Sequence, residues 1–211
     1  MMGQFKLSKM IPRIKLMFSN PASFWDEMAG DQGGIKALLP TVLVFVSAVA
    51  LAQFIGMMLM VLRSGLARVI HWFLLAGVIQ LVLGVGLGVL AWYVLTVLIT
   101  AFSKTFEATE GSTENASKVA FGAMLPGWLG GLLNLTSVGA LGGLGSIAGF
   151  GFGCYLMYVG LQRLVGAPQQ KSAGYTAAVM AIYFFVMLVV FGIVGGITGC
   201  VTACGIASSF G

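Results

Sequence analysis

Cys200 and Cys204 stand four residues apart, one turn apart on a helix, and Met57, Met58 and Met60 cluster elsewhere in the chain. Soft sulfur ligands of this kind select copper(I). Cys and Met also fill apolar helices routinely, and no His or acidic residue lies near them in sequence, so no metal site is expected. The single His, His71, adjoins Trp72 and reads as an interfacial residue rather than a ligand. Three cysteines are an odd number without framework spacing, and no disulfide scaffold follows. No GxSxG, HExxH or phosphate-cradling glycine loop occurs, and Gly84-Val85-Gly86 lies inside an apolar run. No carboxylate interrupts the long apolar stretches. Acid–base and metal chemistry both lack their residues, so a non-enzymatic protein without a cofactor is expected.

The other candidates for chemistry are polar atoms inside apolar segments. Pro126 removes a backbone donor and frees the carbonyl of Gly122, where a kink is expected. A freed acceptor at membrane depth can hold an ion or position a substrate, although a neighbouring helix usually satisfies it. Asn134, Gln53, Gln80, Tyr93, Thr96, Ser146, Tyr155, Tyr158, Tyr183 and Thr198 are uncharged polar residues in the same setting. Together with Pro126 and Asn134 they could line a path for an ion, small solute or lipid. Interhelical hydrogen bonding is the plainer account. The absence of ionisable residues from the middle of these stretches argues against a proton-coupled pump.

These residues sit in a chain that reads as an all-α polytopic membrane bundle. Hydrophobic residues make up 59% and charged residues 8%, where a soluble domain carries about 25% charged. About 20 apolar residues suffice to cross the hydrocarbon as a helix. The pattern predicts five spans, over 35–62, 72–102, 119–137, 140–163 and 174–204, after an interfacial segment 1–34. The polar run 103–118 must leave the membrane, and a turn is expected within Asn134–Gly145. The fifth span is long, which predicts tilt, an overhang or a break at Gly195-Gly196. No apolar core precedes residue 35, so a removable signal peptide is not expected.

Charge sets the expected orientation. With the N-terminus inside, nine of the 11 Lys and Arg residues fall on the cytoplasmic side, leaving Arg63 and Arg68 outside. The net charge of +5 is small and concentrated near the N-terminus, which points to anionic lipid rather than nucleic acid. Met10, Ile11, Ile14, Met17 and Phe18 recur at helical spacing, with Lys9, Arg13 and Lys15 assigned to the opposite side. Such a helix lies in the headgroup plane or docks on the protein's own cytoplasmic loops. A second short helix is expected from Asn20-Pro21, with Phe24, Trp25 and Met28 on one face and Trp25 at the interface.

Glycines recur at four-residue spacing: Gly145, Gly149 and Gly153, then Gly84/Gly88, Gly127/Gly131, Gly192/Gly196 and Gly195/Gly199. Missing side chains let two backbones approach closely in lipid. Packing among the chain's own helices is the first reading of these stripes, and a homo-oligomer interface is the second.

Three stretches resemble bacterial Yip-domain membrane proteins, relatives of the Ypt-interacting proteins. They are Asn20 to Glu27 with its Pro…Trp spacing, Ala120 to Leu129 around Pro126-Gly127-Trp128, and Tyr155 to Leu161 with Pro168 and Lys171 to Thr176. The resemblance implies a five-span domain with a cytoplasmic N-terminus, in a bacterial inner membrane with the C-terminus periplasmic or extracellular. Eukaryotic relatives act in vesicle trafficking with Rab GTPases. This chain has no long N-terminal domain and no Asp-Leu-Tyr-Gly-Pro motif, so a GTPase partner is not carried over. The expectation is a module that organises or shapes membrane and partner proteins, the partner unspecified; a small channel or transporter is the alternative.

Overall fold

Asn20 and Ser112 each start a helix for the same local reason. The Asn20 side chain accepts a hydrogen bond from the Ser23 amide at 3.2 Å, with Pro21 in the first helical position. Ser112 accepts from the Asn115 amide, also at 3.2 Å. The computed structural model describes residues 10–65 and 70–210. Its helices are α1 (Met10–Ser19), α2 (Pro21–Ala29), α3 (Ile35–Arg63), α4 (Ile70–Phe102), α5 (Thr113–Gly131), α6 (Gly139–Arg163) and α7 (Gln169–Phe210). A 3-10 segment, Leu132–Thr136, continues α5. Among the described residues five helices are long and apolar enough to cross a membrane, so the chain is an all-helical, multi-pass membrane protein whose spans follow two short helices.

The boundaries differ from the sequence expectation where polar residues are helical. The third span was placed from residue 119, yet α5 begins at Thr113, because the Ser112 cap and Glu114 in the first turn start it within the polar run. The turn between α5 and α6 falls at Ser137-Val138, with Ser137 in a left-handed conformation (φ 55°). Helix α7 runs without interruption through Gly195-Gly196. Its 42 residues span roughly 63 Å, so the expected break does not occur.

Helix α5 is the core of the bundle. Half of its apolar window is buried, against 11% for α4, and it packs on α3, α4 and α6. Its contact with α6 is backbone on backbone: Gly145 lies on Gly130, Gly149 on Pro126 and Gly127, and Gly153 on Ala123. The partners step in opposite directions, which makes the pair antiparallel. A second glycine line sets α3 against α4, with Gly88 on Val46, Gly84 on Ala50 and Gly77 on Met57 and Phe54. Gly192 and Gly196 face open space.

Gly149→Val therefore destabilises the bundle by roughly 1–3 kcal/mol through overpacking, about 2–4 °C of Tm for each kcal/mol in a chain of this size. Gly192→Val leaves Tm within about 2 °C, since exposed changes stay within about 0.5 kcal/mol. Thermal unfolding in detergent checks both.

Candidate functional site

The starts of α3, α5 and α7 and the ends of α4 and α6 meet at one end of the bundle, and α1 and α2 fold over that end. Trp25 fixes them there. Its ring is fully buried, in a slot made by two glycines of neighbouring helices. A Cβ on Gly160 would lie 2.7 Å from Trp25 Cζ2, and one on Gly122 would collide with Cη2. Phe24 packs edge-on against the Trp25 ring, with centroids 4.9 Å apart. The Trp25 ring thus packs inside the protein and does not face the surroundings as an interfacial side chain would. The two bare backbones give it a deeper seat, although its indole N–H has no partner among the described residues.

Arg13 also departs from the expectation of an outward cation. Its side chain is only 4% exposed. Nη1 and Nη2 donate to the two Asp31 carboxylate oxygens at 2.5 and 3.0 Å, and Nε to Glu27 at 3.4 Å. Residues 10, 13 and 17 share one face of a helix, and that face turns inward, burying Met10 and Met17 with the guanidinium. Burial by itself lowers the Arg13 pKa, but the hydrogen bonds and charges of Asp31 and Glu27 outweigh it and hold the pKa above its ordinary value. Ile11 (80% exposed), Lys15 and Phe18 (59%) form the outward stripe instead. The Phe18 ring stacks on Phe152 of α6 at 5.3 Å. Lys9 lies outside the described residues.

The clasp continues into the bundle. Lys118, 3% exposed, donates to the Asp31 backbone carbonyl at 2.6 Å and pairs with Glu114 at 3.1 Å. Glu114 in turn accepts the Gly33 amide at 3.0 Å. Outer pairs join Arg163 to Asp26 at 3.1 Å and Lys171 to Glu107 at 2.5 Å. Within the loop that follows α4, the Glu110 amide donates to the Val165 carbonyl at 2.9 Å. Lys15, Lys36 and Lys104 remain exposed and outside any ion pair among the described residues. Sequence reasoning passed over Asp31, Glu114 and Lys118. The i, i+4 spacing of Glu114 and Lys118 was the available signal.

A second feature occupies the opposite half of the bundle. A cleft of about 310 Å³ opens between α3, α4 and the 3-10 segment, lined by Gln53, Gly56, Met57, Met60, Gln80, Asn134 and Ser137. Asn134 donates from Nδ2 to the Gly131 carbonyl at 2.7 Å, and its backbone sits against Gly56. Arg63 donates to the Ser137 hydroxyl. Pro126 is not part of this cleft: it is buried against Gly149, and Gly122 is covered by Trp25. The other polar candidates scatter, Thr96, Ser146 and Thr198 bonding within their own helices. Cys200 and Cys204 are exposed on α7, while Cys154 is on α6.

The sequence profile of the Yip1 domain matches residues 15–205. The chain belongs to the Yip1-domain family. No curated relative and no solved structure matched it. The Yip1 match takes in the second half of α1, from Lys15, and all of α2 together with the five spans. Of the collar that α1 and α2 make over the bundle end, Trp25 and Asp31 therefore lie within the matched region, and Met10 and Arg13 lie just ahead of it.

Trp25→Ala empties the slot, at a cost of roughly 3–5 kcal/mol for a buried aromatic. Hydrogen exchange in residues 10–30 should rise together with the lower Tm. Exchange unchanged in that segment would show that the ring does not anchor it.

Proposed function

We propose that this protein is a non-enzymatic membrane module that organises lipid and partner proteins at the cytoplasmic face of a bacterial inner membrane. The observation that carries the reading is the outward stripe of α1. Its inner face is fixed by Arg13, Asp31 and Trp25, so Ile11, Lys15 and Phe18 are held in one orientation at the level of the bundle end. An apolar–cationic surface of this kind inserts shallowly among headgroups and is drawn to anionic lipid. Lys36 and Lys104, exposed at the same end, add to that attraction.

The same charge distribution supports a cytoplasmic N-terminus and a periplasmic or extracellular C-terminus. Because the collar neutralises Arg13, Lys118, Arg163 and Lys171 internally, the charge left for lipid is smaller than the sequence count implies. The attraction should therefore be modest and salt-sensitive.

The test is reconstitution of the full chain into vesicles with and without phosphatidylglycerol, followed by electron microscopy of vesicle shape. Wild-type protein should deform the anionic vesicles, and Ile11→Glu/Phe18→Glu should reduce the deformed fraction several-fold at equal protein density. Equal deformation by the variant would remove the α1 surface from the account. A conduit is the second reading, supported by the convergence of Gln53, Gln80 and Asn134 on one cleft. Solute flux through the same vesicles indistinguishable from protein-free controls would dismiss it.

A further inference from the structure

The cleft at the far end of the bundle goes beyond that reading, because it lies away from α1 and contains polar groups that the collar does not use. The glycine contacts fix its geometry. Val46 faces Gly88, Ala50 faces Gly84 and Met57 faces Gly77, an antiparallel register that brings Gln53 and Gln80 to one depth. Both stand ten residues from their helix ends at Arg63 and Ile70, about 15 Å along the axis and well inside the hydrocarbon.

Both carboxamides are exposed at the bundle surface, and neither makes a hydrogen bond among the described residues. An amide facing hydrocarbon without a partner is strongly disfavoured. No described residue supplies that partner, and a molecule of the bilayer can. The recess between them supplies three more groups: the Asn134 carboxamide, the Ser137 hydroxyl and the Arg63 guanidinium bonded to it. Helical side chains lean toward the N-terminus, so Arg63 reaches down from the helix end toward the cleft.

This is an ordered sequence of chemistries. A cation stands at the mouth, neutral donors and acceptors lie deeper, and the thioethers of Met57 and Met60 form the wall. We propose that the cleft binds the glycerophosphate portion of one membrane phospholipid. Arg63 takes the phosphate, and Gln53, Gln80 and Asn134 take the glycerol and ester oxygens. The acyl chains run down the apolar surface of α3 and α4. The volume of about 310 Å³ is at the lower end of ligand pockets, about 300–1,000 Å³, and suits a headgroup backbone rather than a whole lipid. Opening sideways to the bilayer admits such a ligand without passage through water. A bound headgroup would sit below the level of its neighbours and perturb that leaflet locally.

A second copy of the chain is the competing occupant, since its amides could pair with Gln53 and Gln80. Asn134 and Ser137, however, are set back in a recess that a helix laid across the two glutamines would leave unfilled.

Native mass spectrometry of the full chain, released from nanodiscs of phosphatidylethanolamine and phosphatidylglycerol, tests the proposal. Wild-type protein should retain one phospholipid per chain. Gln53→Leu/Gln80→Leu/Arg63→Ala should lower that retention at least tenfold with Tm unchanged or raised, because leucine suits a lipid-facing position. Equal retention by the variant would overturn the proposal. So would a wild-type dimer that the variant converts to a monomer with no lipid bound to either. Adding millimolar glycerol 3-phosphate should leave the retained lipid in place, and its displacement would point to a soluble phosphate ester and overturn the lipid assignment. None of these results depends on vesicle deformation by α1, so the two readings fail separately.

Discussion

Helices in hydrocarbon gain little from apolar contact, because lipid offers each of them the same contact. What distinguishes a protein neighbour is how closely its backbone can approach, and the α5–α6 pair is built around that limit. Gly145, Gly149 and Gly153 remove every side chain along the line where α6 meets Gly130, Pro126 and Ala123. The close approach also buries Pro126, a residue that would otherwise disturb a span exposed to lipid. Farther along the same two helices, Gly122 and Gly160 make the slot that receives Trp25. Helix packing and attachment of the N-terminal segment thus have one cause.

The charged groups follow from where that slot lies. Once Trp25 is seated, α2 and the turn after it carry Asp31 beneath α1 and beside the start of α5. Arg13 and Lys118 reach Asp31 from opposite sides, one at its carboxylate and the other at its backbone carbonyl. Leaving a buried charge unpaired is expensive, so each of these groups holds the others in place. The outward face of α1 is what remains when the inner face has been consumed by this network. The cleft at the other end is the reverse case, with the Gln53 and Gln80 carboxamides left open rather than paired among the described residues.

Much of this was legible in the sequence. Uncharged runs marked the spans, Asn20-Pro21 marked the start of α2, and the 145–149–153 spacing marked a face with room for another backbone. What could not be read was which face turns inward when the surroundings are protein instead of lipid. Charge alone puts Arg13 opposite the apolar face, toward anionic lipid, although its spacing from Met10 and Met17 places it with them. Trp25 was assigned to the interface by its amphipathic ring, because the glycines that receive it are distant in sequence. Asn134 and Pro126 looked like parts of one polar path; eight residues of helix separate them, about 12 Å, and the cleft holds only Asn134. Ser112 hid two turns of helix inside a polar run because a single capping side chain outweighed its composition.

The docking of α1 onto α6 tests this account most directly, because it depends on the glycine slot, the Trp25 ring and the Arg13 clasp together. Phe18→Cys and Phe152→Cys, placed in a chain whose three native cysteines are replaced by alanine, can be treated with a short bis-maleimide in native membranes. Cross-linking within one chain, abolished by Trp25→Ala, is the predicted result. An uncross-linked pair in the otherwise intact protein would mean that α1 lies free on the bilayer, and the collar described above would be wrong.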